Sequence, residues 1–192
     1  INCADYGIPQ IRQRFICVGS LKEYGTFKFP DNTHISKKKL DLFSGNKKEW
    51  INCKEAIGDL DIPLPEDKNN LAGSKHKHLL KLIPPGENYL YFTKERGHPK
   101  PEFKWRSRYW SFLLKLSPKE PSWTIQASFS NNMGPFHWNN RFLRINEIKR
   151  IQTFPDNYKL TGNFKDQWRL VGNAVPPLLT KIISKEIKKQ LF

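Results

Sequence analysis

A chain of 192 residues that is 38% hydrophobic and 13% aromatic has enough apolar material for a core, which excludes wholesale disorder. Lysine and arginine number 33 against 18 acids, a net charge of +15, so beyond a merely solubilising basic surface the default partner is nucleic acid. No apolar stretch approaches bilayer length, and Cys3, Cys17 and Cys53 form no C-x-x-C; these features argue against a membrane span, a zinc site or a redox pair, and for reduced thiols in a cytosolic protein.

The chain opens on Ile1-Asn2-Cys3, with no initiating Met and no signal peptide, and is expected to be a fragment of a larger protein. Gly7-Ile8-Pro9 breaks the backbone. The unbroken apolar run Phe15-Ile16-Cys17-Val18, ended by Gly19, predicts a strand buried on both faces, as in a parallel sheet. From residue 21 to about 140 the texture is irregular, rich in Pro, Gly, Asn and Lys. Glu55–Leu60 suits one helical turn, and Pro63, Pro65, Pro84 and Pro85 forbid long elements. His78–Ile83 is too short to assign as helix or strand. Trp110–Leu114 and Trp123–Ala127 have the aromatic and β-branched content of strands. Asn146 is expected to cap a helix over Glu147–Thr153, stopped by Phe154-Pro155-Asp156-Asn157. The clearest helix is the last: Pro176-Pro177 suit its start, and Leu178, Leu179, Ile182, Ile183, Ile187 and Leu191 recur at helical spacing.

Two features bear on chemistry. Gln10-Ile11-Arg12-Gln13-Arg14 sets two arginines at i and i+2, which share a face in extended backbone. Side by side they repel, so they need an anionic or carbonyl-rich partner; ordinary surface ion pairs are the other reading. Between Lys75 and Lys115 ten Lys or Arg stand against three acids, interleaved with Tyr89, Tyr91, Phe92, Trp105, Tyr109 and Trp110. Cations alternating with rings suit phosphate contact plus stacking, most densely at Lys104-Trp105-Arg106-Ser107-Arg108. A strand with an aromatic core face and a solvated basic face gives the same pattern. His76-Lys77-His78, with no Cys or acid close by, makes a poor metal site, so no metal is expected.

Taken together the motifs resemble those of the DNA cytosine-5 methyltransferases. Gln10-Ile11-Arg12-Gln13-Arg14 resembles the family's Q-x-R-x-R block. Arg141-Phe142-Leu143 through Glu147, Arg150, Gln152 and Phe154-Pro155 resembles its R-x-L-T…E…R-x-Q-x-F-P block, with Arg144 where the family usually has Thr. Gly172-Asn173-Ala174-Val175-Pro176-Pro177 is similar to its final G-N-x-V-x-P block, and Trp123–Ser128 to a Thr-containing segment of its target recognition domain.

The resemblance implies an α/β fragment: tail and return segments of a Rossmann-like S-adenosylmethionine-dependent methyltransferase domain around an irregular α+β target recognition domain. Residues 1–20 would end the catalytic domain, 21–140 form the recognition domain, and 141–192 return to the catalytic domain through a C-terminal helix. It also implies methyl transfer from S-adenosylmethionine to C5 of a cytosine flipped out of double-stranded DNA, in a bacterial restriction-modification system. Arg14 would hold the flipped base, with Gln10 and Arg12 organising the site and nearby phosphate. Asn173 and Ala174 would lie beside the cofactor and Thr124 beside the flipped nucleotide's backbone; Lys104, Arg106 and Arg108 would contact DNA, and Arg106, Arg108 and residues 129–138 would form the reading surface. No cysteine follows a proline, and neither Glu-Asn-Val nor Phe-x-Gly-x-Gly occurs. The chain alone is therefore expected to be inactive and to need an amino-terminal catalytic part, in cis or in trans. The alternative is a non-catalytic DNA-binding module or remnant; a tRNA-acting relative is disfavoured by the long variable segment.

Overall fold

The computed structural model describes residues 1–41, 44–69 and 72–192. At the start of the chain a 3-10 turn over Cys3–Tyr6 ends at Gly7, whose φ of 78° sends the backbone back along itself. Cys3 N–H then donates to Arg12 O at 2.9 Å and Arg14 N–H to Ile1 O at 2.8 Å. Strand β1 (Gln10–Ile11) pairs in parallel with β4 (Ser122–Trp123), Gln10 opposite Ser122. Strands β2 (His34–Ile35) and β3 (Lys48–Glu49) form a second parallel pair. The architecture is mixed α/β, and among the described residues its sheets are these two small parallel pairs rather than a doubly wound sheet.

Several expectations need correction. Phe15–Val18 is not a buried strand: the backbone there joins no sheet, and Phe15 is 94% exposed. Burial on both faces requires strands alongside, and none of the described segments supplies them. Trp110–Leu114 is turned rather than extended. Phe112, Leu113 and Leu114 are buried consecutively, which an alternating strand cannot do, and Leu113 takes a φ of 52° to achieve it. Within Trp123–Ala127 only Trp123 belongs to a strand.

Helix α1 (Cys53–Ile57) starts at Asn52, whose side-chain oxygen accepts from Glu55 N–H at 2.9 Å. Helix α2 (Lys77–Leu82) settles the ambiguous apolar run as helical, with Leu79 and Leu80 buried. Helix α3 (Ile145–Ile151) begins two residues before its expected start; its cap is Arg144, whose N–H donates to the Glu147 carboxylate at 2.8 Å, so Asn146 lies inside the helix. Helix α4 (Phe164–Asn173) is absent from the sequence reading, although Asn163 caps it by accepting from Asp166 N–H at 3.1 Å. Helix α5 (Pro177–Leu191) follows as expected.

Three apolar clusters result. One gathers α2 with Tyr89, Phe92, Phe112, Phe136 and Phe142. A second joins α1, α3 and α4 through Ile57, Ile148, Ile151, Trp168 and Val171, with Ile125 between them. In the third, Leu179 and Ile183 of α5 pack on Cys3, Tyr6 and Ile8. The end of the chain thereby closes on its beginning.

The tightest approach is at Gly172 in α4, where a Cβ would stand 2.7 Å from both Ala127 Cα and Gln126 O. Both neighbours are backbone and cannot rotate away, so the glycine is what lets α4 reach residues 126–127. Gly172→Ala is expected to cost about 1–3 kcal/mol or more, because overpacking must push two backbones apart. Urea unfolding checks this, and an unchanged midpoint would show that the approach is not tight.

Candidate functional site

The junction of the three motif blocks is built around Arg12. Its side chain is buried and meets carbonyls rather than an anion, donating to Ile125 O at 3.1 Å, Gly172 O at 2.8 Å and Ala174 O at 3.3 Å. Gln10 Oε1 accepts from Arg12 at 3.4 Å and from Ile125 N–H at 3.2 Å. The Thr124 hydroxyl donates to Ile11 O at 2.9 Å. Of the partners open to the paired arginines, Arg12 takes the carbonyl-rich one. Burial, and then the Arg14 charge, lower its pKa from the ordinary arginine value.

Arg14 differs. It is half-buried, and its one side-chain hydrogen bond among the described residues goes to Gln13 O at 2.6 Å, leaving guanidinium donors for a ligand. It lines a depression of about 410 Å³ with Ile1, Asn2, Gln13 and Phe15. Asn173 is exposed and lines a different depression, of about 570 Å³, with Ser128, Lys165 and Arg169. The two blocks adjoin through Arg12, while these two side chains open onto separate concavities.

The α3 block is a set of ties. Arg141 meets buried Glu147 with two parallel bonds of 2.8 and 2.7 Å. Burial opposes the Arg141 charge, but the Glu147 carboxylate outweighs it and raises the arginine's pKa. Arg150 bridges Asp59 at 2.6 Å and Asp156 at 2.7 Å. Gln152 donates to Val171 O at 3.0 Å, fixing α3 to α4, and Thr153 Oγ1 accepts from Leu178 N–H at 3.1 Å at the head of α5. Arg144 donates to Leu60 O at 2.8 Å, Ile62 O at 2.9 Å and the Asp67 carboxylate, whose pKa this contact lowers.

Of residues 129–138, expected on the reading surface, 134–137 are instead buried, and His137 joins Arg141, Asp61 and Glu147 in a grouping that the sequence did not reveal. Buried His137 lies 3.6 Å from Asp61 and 3.8 Å from Glu147. Its Nδ1 accepts from Asn139 N–H at 3.1 Å, so the neutral ring carries its proton on Nε2, facing the acids. Burial lowers the pKa of this histidine.

The basic loop forms a distinct surface. A groove of about 720 Å³ is lined by Lys75, His76, Arg106, Arg108, Tyr109 and Asn132, among others. The buried Tyr89 hydroxyl fixes the loop, donating to Arg108 O at 2.8 Å and accepting from Arg108 N–H at 3.1 Å, while Asn88 donates to Trp110 O at 2.7 Å. The Arg106 and Arg108 side chains are left exposed, above the Trp105 and Phe112 rings at 5.8 Å. Lys104 is exposed beside the groove without lining it.

The family profile of C-5 cytosine-specific DNA methylase matches residues 1–189. The chain belongs to that family. Similar proteins include the type II methyltransferases M.SacI of Streptomyces achromogenes, M.BbvI of Brevibacillus brevis and M.BspRI of Lysinibacillus sphaericus. M.SacI is 38% identical, with 98% of this chain and 50% of that protein covered. M.BbvI is 31% identical (96% and 46% covered), and M.BspRI 32% identical (97% and 42% covered). The chain spans about half the length of these relatives.

Within this methylase chain the family motifs turn out to hold separate segments together. No cluster of His, Cys, Asp or Glu fit for a metal occurs among the described residues, and no described helix is long and apolar enough to cross a membrane. Cys3 and Cys53 are buried free thiols; burial raises the pKa of both, as befits core residues rather than nucleophiles. Cys17 is exposed.

Proposed function

We propose that the chain is the carboxyl-terminal part of a DNA cytosine-5 methyltransferase of a restriction-modification system, holding target recognition (residues 21–140) between two segments (1–20 and 141–192) of the catalytic domain. The observation that carries this reading is the Arg12 clamp, which draws together the Q-x-R-x-R block, the Thr124 segment and the G-N block while leaving Arg14 with open donors.

In this reading Arg14 binds O2 of a cytosine rotated out of the duplex, where a guanidinium stabilises charge developing as a nucleophile adds to the ring. Arg12 and Gln10 are positioning residues: they tie the backbone just before Arg14 to residue 125 and to the end of α4. The Thr124 segment lies against the phosphate backbone of that nucleotide. Lys104, Arg106 and Arg108 neutralise phosphates and reach base edges. Asn173 and Ala174 fit one wall of a site for S-adenosylmethionine: Arg12 clamps the carbonyls of Gly172 and Ala174, and the Asn173 amide is exposed between them without a hydrogen bond among the described residues. That cofactor supplies the methyl group. The nucleophile and the remaining walls belong to an amino-terminal part.

The test is 5-methylcytosine formation in duplex DNA, measured by mass spectrometry after incubation with S-adenosylmethionine. The enzyme containing both parts is expected to methylate, and the 192-residue chain alone to bind duplex without methylating. Duplex binding by the joined protein with no methyl transfer would identify a DNA-binding remnant instead.

A further inference from the structure

The His76-Lys77-His78 run makes a poor metal site, yet His76 lines the basic groove beside Asn132. His76 Nδ1 lies 3.4 Å from Asn132 Oδ1. An amide oxygen only accepts, so Nδ1 holds the proton and the Nε2 of a neutral ring keeps its lone pair. The pair therefore retains one acceptor, His76 Nε2, and one donor group, the Asn132 amide nitrogen.

Both residues are held in place. Asn132 O accepts from Leu113 N–H at 2.9 Å, and its N–H donates to Ser130 Oγ at 3.3 Å. The His76 ring stands edge-on to Phe112 at 5.2 Å, and the same Phe112 carries the Arg108 guanidinium at 5.8 Å. The groove thus sets the Arg108 fork and the His76 end of a donor–acceptor pair against one aromatic ring, Phe112. Cations alone bind phosphate without regard to sequence, whereas a fixed pattern of neutral donors and acceptors distinguishes base edges.

We propose that His76 and Asn132 act as one unit that sets the identity of a single base position in the recognised sequence, beside a guanine contacted by Arg106 or Arg108. This rests on the methyltransferase reading above.

The test expresses the complete enzyme in a host without cytosine methylation and reads the methylated motif by bisulfite sequencing of host DNA. Wild type is expected to methylate one fixed motif. His76→Ala and Asn132→Ala should relax the same position, with methylation at non-cognate bases there rising about 10- to 100-fold, in line with the usual discrimination against one mismatched pair. The double variant should relax it no further. An unchanged motif, or relaxation at two different positions, overturns the proposal. If the alanine variants do not methylate, His76→Gln and Asn132→Ser are scored in the same way, and loss in all four also counts against it. Absence of 5-methylcytosine with wild type is a different result, which defeats the methyltransferase reading. In that case the same variants are compared by the sequences each retains from a random duplex pool, with the same two expectations.

Discussion

Arg141→Met is expected to destabilise the chain by about 3–5 kcal/mol, the usual cost of leaving one charge of a buried pair without its partner. Glu147 is fully buried and spends its carboxylate on three donors: the two guanidinium contacts of Arg141 and the Arg144 N–H that starts α3. Without Arg141 the charge keeps one backbone donor and the more distant His137. Glu147→Leu alone takes away the arginine's paired partner and leaves it only the more distant Asp61 and Asp67 carboxylates, each at 3.7 Å. The double variant Arg141→Met/Glu147→Leu should lose markedly less than the sum of the two, because it removes both charges from the interior. Urea unfolding of the four proteins measures this cycle, and additive losses would show that the two side chains do not act as a pair.

Arg12→Ala should be comparably severe, about 3 kcal/mol or more, since each charge-assisted bond to a buried carbonyl contributes on the order of 1.5–3 kcal/mol. Its consequence is more specific than a lower melting temperature. The Gly172 and Ala174 carbonyls lose their donor; among the described residues the side-chain hydrogen bonds then left to tie the end of α4 to its neighbours are Gln152 to Val171 O and the Trp168 indole N–H to Gln126 O, at 3.0 and 2.8 Å. Residues from α4 onward should therefore become the first site of proteolysis, while the cluster around Tyr89 and Phe112 stays protected. Arg12→Lys should recover part of the loss, because an ammonium reaches one carbonyl but cannot span three. Uniform protection across the chain in Arg12→Ala would contradict the clamp.

Some of this was written locally and some was not. Helix α5 was legible because its proline start and apolar spacing are both short-range signals. The motif blocks were recognisable, but their physical duty was not: that Arg12 binds carbonyls 160 and 162 residues away depends on the whole fold. Helix α4 had its Asn163-x-x-Asp166 cap in plain view, yet mostly polar residues surround Trp168 and Val171, and a glycine near its end reads as a break. The strand expected at Phe15–Val18 failed because an apolar run records a need for burial, not the presence of a partner. The groove draws on residues 75–76, 106–112 and 130–133, whose convergence no window of sequence reveals. Arg144 departs from the motif's usual Thr and is explained by the chain it holds, residues 60–67.

The role of Arg14 is tested most directly by measuring methyl transfer and duplex affinity together in the complete enzyme carrying Arg14→Ala. Methyl transfer should fall by about 10²- to 10³-fold, as for loss of one donor to a developing charge, with affinity for the cognate duplex changed by much less. Equal losses in both measurements, or undiminished methyl transfer, would contradict it.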